Sequence, residues 1–151
     1  MAYTTDRLKS TRVFIALGDG ADPEVFTAIC GITSKGLQQT RATNDTVDWD
    51  CANPDGTPIT IRDTGATDWS ITGSGMLARS RLADLQAVFV DPNPRNWRFV
   101  FDEAAASVIV DGYYQGPGLL TDFSITGENG QYLQISLTIT GADAIAFVAN
   151  T

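Results

Sequence analysis

Several groupings of reactive side chains in this chain have a spacing that bears on chemistry. Gly18-Asp19-Gly20-Ala21-Asp22-Pro23-Glu24 sets three carboxylates among glycines. The composition suits calcium, but the ligand spacing and the closing glutamate of a calcium loop are missing. A turn between two strands accounts for it better. Asp48, Asp50 and Asp55 form a carboxylate cluster that acid or metal chemistry would use. They fall in a polar connection, where solvated acids are ordinary. Gly73-Ser74-Gly75 has part of a nucleophile elbow, but the full G-x-S-x-G is not there, and the chain has no histidine to act as base. Cys51, next to Trp49, lacks a base in the same way. The expectation is no catalytic residue, no metal site and no cofactor.

The elements that would position any site must come from one domain, since 151 residues are most simply one core. Apolar residues make up 43% and charged residues 19%, enough for a packed interior. The net charge of −8 opposes a protein that grips nucleic acid through its phosphates, which requires a basic face. Two cysteines, Cys30 and Cys51, are too few for a disulfide framework or a zinc site. The opening MAYTTDRLKSTRVF has no apolar run of signal-peptide kind, and no stretch is apolar enough to span a bilayer, so a cytosolic origin with reduced cysteines is expected.

Period-two alternation dominates the chain. Strands are expected at 12–17, 24–29, 97–101, 107–114, 119–126 and 132–140, with a polar extended stretch at 33–43. Residues 1–11 read as a flexible arm, and 44–66, rich in Asn, Asp, Gly, Pro and Thr, as a long loop. Gly116-Pro117-Gly118 reads as a break, and Asn129-Gly130 as a hairpin turn. Within TDWSITGSGMLARSRLADLQAVFVDP (67–92) the period changes. Trp69 and Ile71 alternate with Asp68, Ser70 and Thr72, and then Leu82, Leu85, Val88 and Phe89 fall on one helical stripe. One helix is expected over about 79–91, with Ser80 as its cap and Asp91-Pro92 as its stop. In the final strand Leu133, Ile135, Leu137 and Ile139 share the inner face. The fold class is mainly β: an antiparallel sandwich or barrel of about eight strands with one helix packed on it.

With no reagent in sight, the surfaces carry the functional reading. Lys35, Gln38, Gln39 and Thr40, Ser70 and Thr72, Ser124 and Thr126, and Gln134, Ser136 and Thr138 give the strands a polar, mostly uncharged face. Lys35, Gln38, Thr40, Ser70, Thr72, Gln134, Ser136 and Thr138 are the candidates for lining an aqueous channel built by several copies. Val47, Trp49 and Ile59, with Asp50 and Arg62, are the candidates for contact between subunits or rings, since apolar anchors in a polar segment dock onto neighbours. A ligand- or carbohydrate-binding β-sandwich, with Trp49, Trp69 or Trp97 stacking on the ligand, is the alternative.

RVFIALGDGADPEVFTAICGITSKGLQQT near the start, the TNDTVDWD segment, DWSITGSGML with the helix RSRLADLQAVFVD, and the closing FSITGENGQYLQISLTITGA follow one another over about residues 12–142. In this order of elements the chain resembles the major tail tube proteins of long-tailed, non-contractile bacteriophages and related gene transfer agents. The resemblance implies six-membered rings stacked into a hollow tail tube in the virion, assembled in the host cytoplasm. It also implies that double-stranded DNA passes through without sequence recognition. Partners would be further copies of the chain, the tape measure, the terminator and the tail tip, with no membrane involved. A secretion-system tube or a tail-completion ring protein would share the same fold.

Overall fold

The computed structural model describes residues 13–76, 78–101 and 112–149. The expected arm (1–11) and the first half of the strand expected at 107–114 lie outside the described residues. β1 (Val13–Gly18) and β2 (Phe26–Ala28) open the fold. β3 (Ile32–Asp48) and β4 (Ile59–Met76) follow as two long strands. A 3-10 turn at Arg79–Arg81 leads into helix α1 (Leu82–Val90). Then come β5 (Arg95–Phe101), β6 (Gly112–Thr126), β7 (Gln134–Gly141) and β8 (Ala146–Ala149). All pairings are antiparallel, in the order β2-β1-β5-β6-β7-β4-β3, with β8 beside β6.

The alternation read from the sequence becomes one buried face. Ile71 on β4 pairs with Ile139 on β7, and Ile139 with Leu120 on β6, and all are buried. The sheet curls over this face. A Cβ placed on Gly73 of β4 would lie 3.1 Å from Ile15 of β1, although several strands separate β1 from β4 in the sheet. Trp97, Phe99 and Trp69 fill the interior between the two layers. Each such side chain contributes roughly 1.5–3 kcal/mol by leaving water.

The helix closes one side of the core through Leu85 and Val88. The expected four-residue stripe is only half buried: Leu82 is 41% exposed and Phe89 43%. Phe89 sits about 100° around the helix from Val88, which turns it out of the seam. Ser80 does not cap α1. It falls inside the 3-10 turn, and the N-cap position is Arg81, without a side-chain cap bond.

Other expectations need correction. Residues 44–66 are not a loop. Thr43 to Asp48 pair with Thr64 to Ile59, so most of the segment is the outer half of a β-hairpin, and only 49–58 turn. Its residues lack a polar–apolar period because both faces meet solvent, while the β-branched Thr, Val and Ile still favour extended backbone. Gly116-Pro117-Gly118 does not break β6 either. Pro117, which has no N–H to donate, falls where β6 exchanges one neighbour for another: Gln115 pairs with Ala146 of β8 and Gly118 with Gly141 of β7. The glycines there clear space, since a Cβ on Gly116 or Gly118 would come to 3.0 Å from the Trp69 ring. Asn129-Gly130 does sit in the β6–β7 connection, with Gly130 at φ 88°. The connection is longer than two residues, however, and Leu133 lies before β7, 58% exposed, not on its inner face.

Candidate assembly surfaces

The groupings with chemical potential dissolve into local structure. Asp19 Oδ1 accepts from the Ala21 and Val25 amides at 2.9 and 3.1 Å. These two backbone bonds, Ala21 first, hold its carboxyl below the ordinary range. Glu24 accepts from Asn96 Nδ2 at 2.8 Å, tying the turn to β5. Asp48 and Asp50 accept from the Trp49 and Ala52 amides. Ser74 lies inside β4, not at a strand–helix elbow. Among the described residues no group of three His, Cys, Asp or Glu is placed to hold a metal ion. Of the three tryptophans offered as a sugar-stacking platform, Trp69 is 4% exposed and Trp97 0%, which leaves Trp49 alone facing solvent. Trp97 Nε1 is occupied by the Gly118 carbonyl at 3.2 Å.

The polar residues come together. Residues directly opposite in an antiparallel ladder share a face, so the register of β3, β4, β7 and β6 gives continuous rungs. Gln38, Ser70, Thr140 and the apolar Leu119 form one rung. Gly36, Thr72, Thr138 and Asp122 form the next. Ser34, Ser74, Ser136 and Ser124 form a third, and Met76, Gln134 and Thr126 close that end, with Thr40 opposite Asp68 at the other. Of the eight residues expected on this face, Gln38, Thr40, Ser70, Thr72, Gln134, Ser136 and Thr138 lie on it. Across these rungs the charges are Asp68 and Asp122, and no Lys or Arg appears among the described residues.

Lys35 is the exception. It stands opposite Gly73, on the core side, because it is an odd number of residues from Gln38 and Thr40 along a regular stretch of β3. Its Nζ donates to the Val13 carbonyl and lies 5.6 Å from the centre of the Phe14 ring, bridging β3 to β1. Gln39, opposite Trp69, also belongs to that side. Ser34, Ser74 and Asp122 were missed, and strict alternation from Gln38 and Thr72 would have reached the first two.

The second surface is the hairpin arm. β7 pairs with β4 only as far as Ser70, so among the described residues the two strands beyond Arg41 and Thr67 have only each other. An isolated two-stranded ribbon is marginal in water. Val47, Trp49, Ile59 and Ile61 are nevertheless 55%, 57%, 68% and 45% exposed. Asp45 and Arg62 face each other on the arm at 3.4 Å, an exposed pair that contributes little. Val47 and Arg62 lie on one face of the ribbon and Ile59 and Ile61 on the other, so the arm presents apolar side chains both ways. Ile61 was missed although Ile59 in the same segment was named; only the strand geometry, two residues on, puts it on the same face. The outer edge of β3 is a third surface: among the described residues nothing pairs with it.

A family model described as phage tail tube protein matches residues 7–147. No curated protein matches the chain. Among solved structures, the chain is similar to one from the tail of an empty gene transfer agent (GTA) particle refined with C6 symmetry, at TM-score 0.75 and 18% identity, covering 95% of this chain and 100% of that one. A chain from the virion of a native gene transfer agent particle gives TM-score 0.71 at 17% identity, with 95% and 100% coverage. The SPP1 tail tube gives 0.60 at 11%, covering 95% of this chain and 79% of that one.

Proposed function

Because the chain belongs to the phage tail tube protein family, whose role is structural and not enzymatic, we propose that it is the major tube subunit of a long-tailed, non-contractile phage or gene transfer agent. Its copies close into rings of six and the rings stack into a hollow tube that conducts double-stranded DNA. The rungs of hydroxyls and amides line the bore. The six-fold count is supported by the C6 refinement of the gene transfer agent tail that the fold resembles.

The observation that carries this reading is the polar face of β3, β4, β7 and β6. It holds two carboxylates and no cation on its described rungs, and DNA gains the free energy of counterion release only where basic groups neutralise its phosphates. A wall of this kind stays wet and does not retain a polyanion in transit. The open edge of β3 gives the sheet a place to continue into the next subunit through backbone bonds. Ring closure and stacking each need a head-to-tail contact, of roughly 1,200–2,000 Å² if of standard size. The open edge serves the first and the arm the second. Tape measure, terminator and tail tip meet the same surfaces at the ends of the tube, and assembly takes place in the host cytoplasm.

Negative-stain microscopy with light scattering on concentrated protein tests this. Rings or tubes with a central hole are expected. Monomers at every concentration overturn it.

A further inference from the structure

We infer that the tip of the hairpin arm of one copy seats in the groove beside β1 of a second copy, with Trp49 as the inserted side chain. This rests on the tube reading above and deepens it by naming the receptor. The groove holds about 390 Å³ and is lined by Phe14, Ala28, Ile29, Cys30, Ile32 and Lys35. It lies where the β2–β3 connection packs on the end of β4. Gly31 there adopts φ 95°, and a Cβ on it would meet the Met76 carbonyl.

Three properties of tip and groove match. The first is apolar fit: an indole at 57% exposure faces solvent at the tip, and the groove is walled mainly by apolar side chains. Tryptophan is among the side chains enriched at positions that carry interface energy. The second is charge. Trp49 sits between Asp48 and Asp50, with Asp55 in the same turn, and no Lys or Arg occurs between Arg41 and Arg62. Lys35 brings a cation to the groove, and among the described residues no carboxylate pairs with it. Its ammonium has three donors, and one goes to the Val13 carbonyl.

The third property is direction. Groove and tip stand at opposite ends of β3, which spans Ile32 to Asp48. At about 3.3 Å per residue they are roughly 50 Å apart. The tip of a chain therefore does not reach its own groove, and the contact joins two copies. Because two different surfaces meet, the contact is heterologous and propagates without closing on a two-fold, as stacking along an axis requires.

The two cysteines report on it directly. Cys30 lines the groove, Cys51 lies two positions beyond Trp49, and both are exposed. Full-length protein is assembled, checked for tubes by negative stain, treated with a short bis-maleimide and run on a denaturing gel. A ladder of dimers and higher multiples is expected, lost in both Cys30→Ser and Cys51→Ser. Trp49→Ala should keep the monomer's circular dichroism and melting temperature while raising the concentration needed for tubes at least tenfold. Tubes without a ladder overturn the groove assignment and leave the tube reading standing, as do dimers that survive in Cys30→Ser, which would mean that tips meet tips. Absence of tubes under every condition overturns the tube reading and this inference with it.

Discussion

The Trp69 indole N–H donates to the Asp143 carbonyl at 2.6 Å, joining β4 to the segment that links β7 and β8. The ring needs the space it occupies: a Cβ on Gly141 would come within 2.4 Å of its Nε1. Gly141→Ala should therefore displace the indole and cost about 1–3 kcal/mol. Trp69→Phe should cost a similar amount by leaving the carbonyl without its donor. Denaturant melts of the monomer measure both.

The helix offers an internal control. Leu85 is 1% exposed and Leu82 41%. Leu85→Asp buries an unpaired carboxylate, should cost several kcal/mol and should unfold or misassemble the protein. Leu82→Asp should shift stability by less than about 1 kcal/mol. Circular dichroism on the two variants side by side makes the comparison, and a folded, assembling Leu85→Asp would show that the seam is elsewhere.

Replacing residues 44–63 with Asn-Gly should close the hairpin at its base with a tight turn. The sheet and core lie outside the removed pairs, so thermal unfolding should move little. Rings should still form where tubes do not. Tubes at normal yield under the microscope would remove the arm from stacking.

Thr72 and Ser136 stand on neighbouring rungs of the polar face. Thr72→Arg with Ser136→Arg would put cations where the native face has none. Surface changes of this kind typically alter stability within about 0.5 kcal/mol, so assembly should survive. The doubly substituted tubes should retain double-stranded DNA in a mobility-shift assay, and release it as salt rises. Native tubes should not retain it at any salt concentration. Equal behaviour of the two would place this face outside the bore.

Much of the fold was legible because burial writes itself into alternation. Ile135, Leu137 and Ile139 announce one covered face, and the change of period after Gly75 announces the helix. The polar rungs were legible for the same reason, since Thr72 and Thr138 must point away from Ile71 and Ile139. Lys35 was misplaced because polarity grouped it with Gln38 and Thr40, although an odd number of steps along a regular strand puts it on the opposite face. The arm was invisible as strand because a ribbon wet on both faces carries no hydropathic period, and its few apolar residues read as isolated anchors. Gly116-Pro117-Gly118 was misread because clearance for a ring from a distant strand leaves no local signal.

The seventeen residues of β3 expose a long row of amide and carbonyl groups. Such a border does not discriminate strongly between the neighbour that would extend the proposed ring and a second β3 zipped against it about a two-fold. The second outcome is a finished pair with nothing left to grow from. Supply of subunits to a lengthening tail is then a race between productive addition and sterile pairing, one that high stock concentration worsens and an early template at the growing end wins.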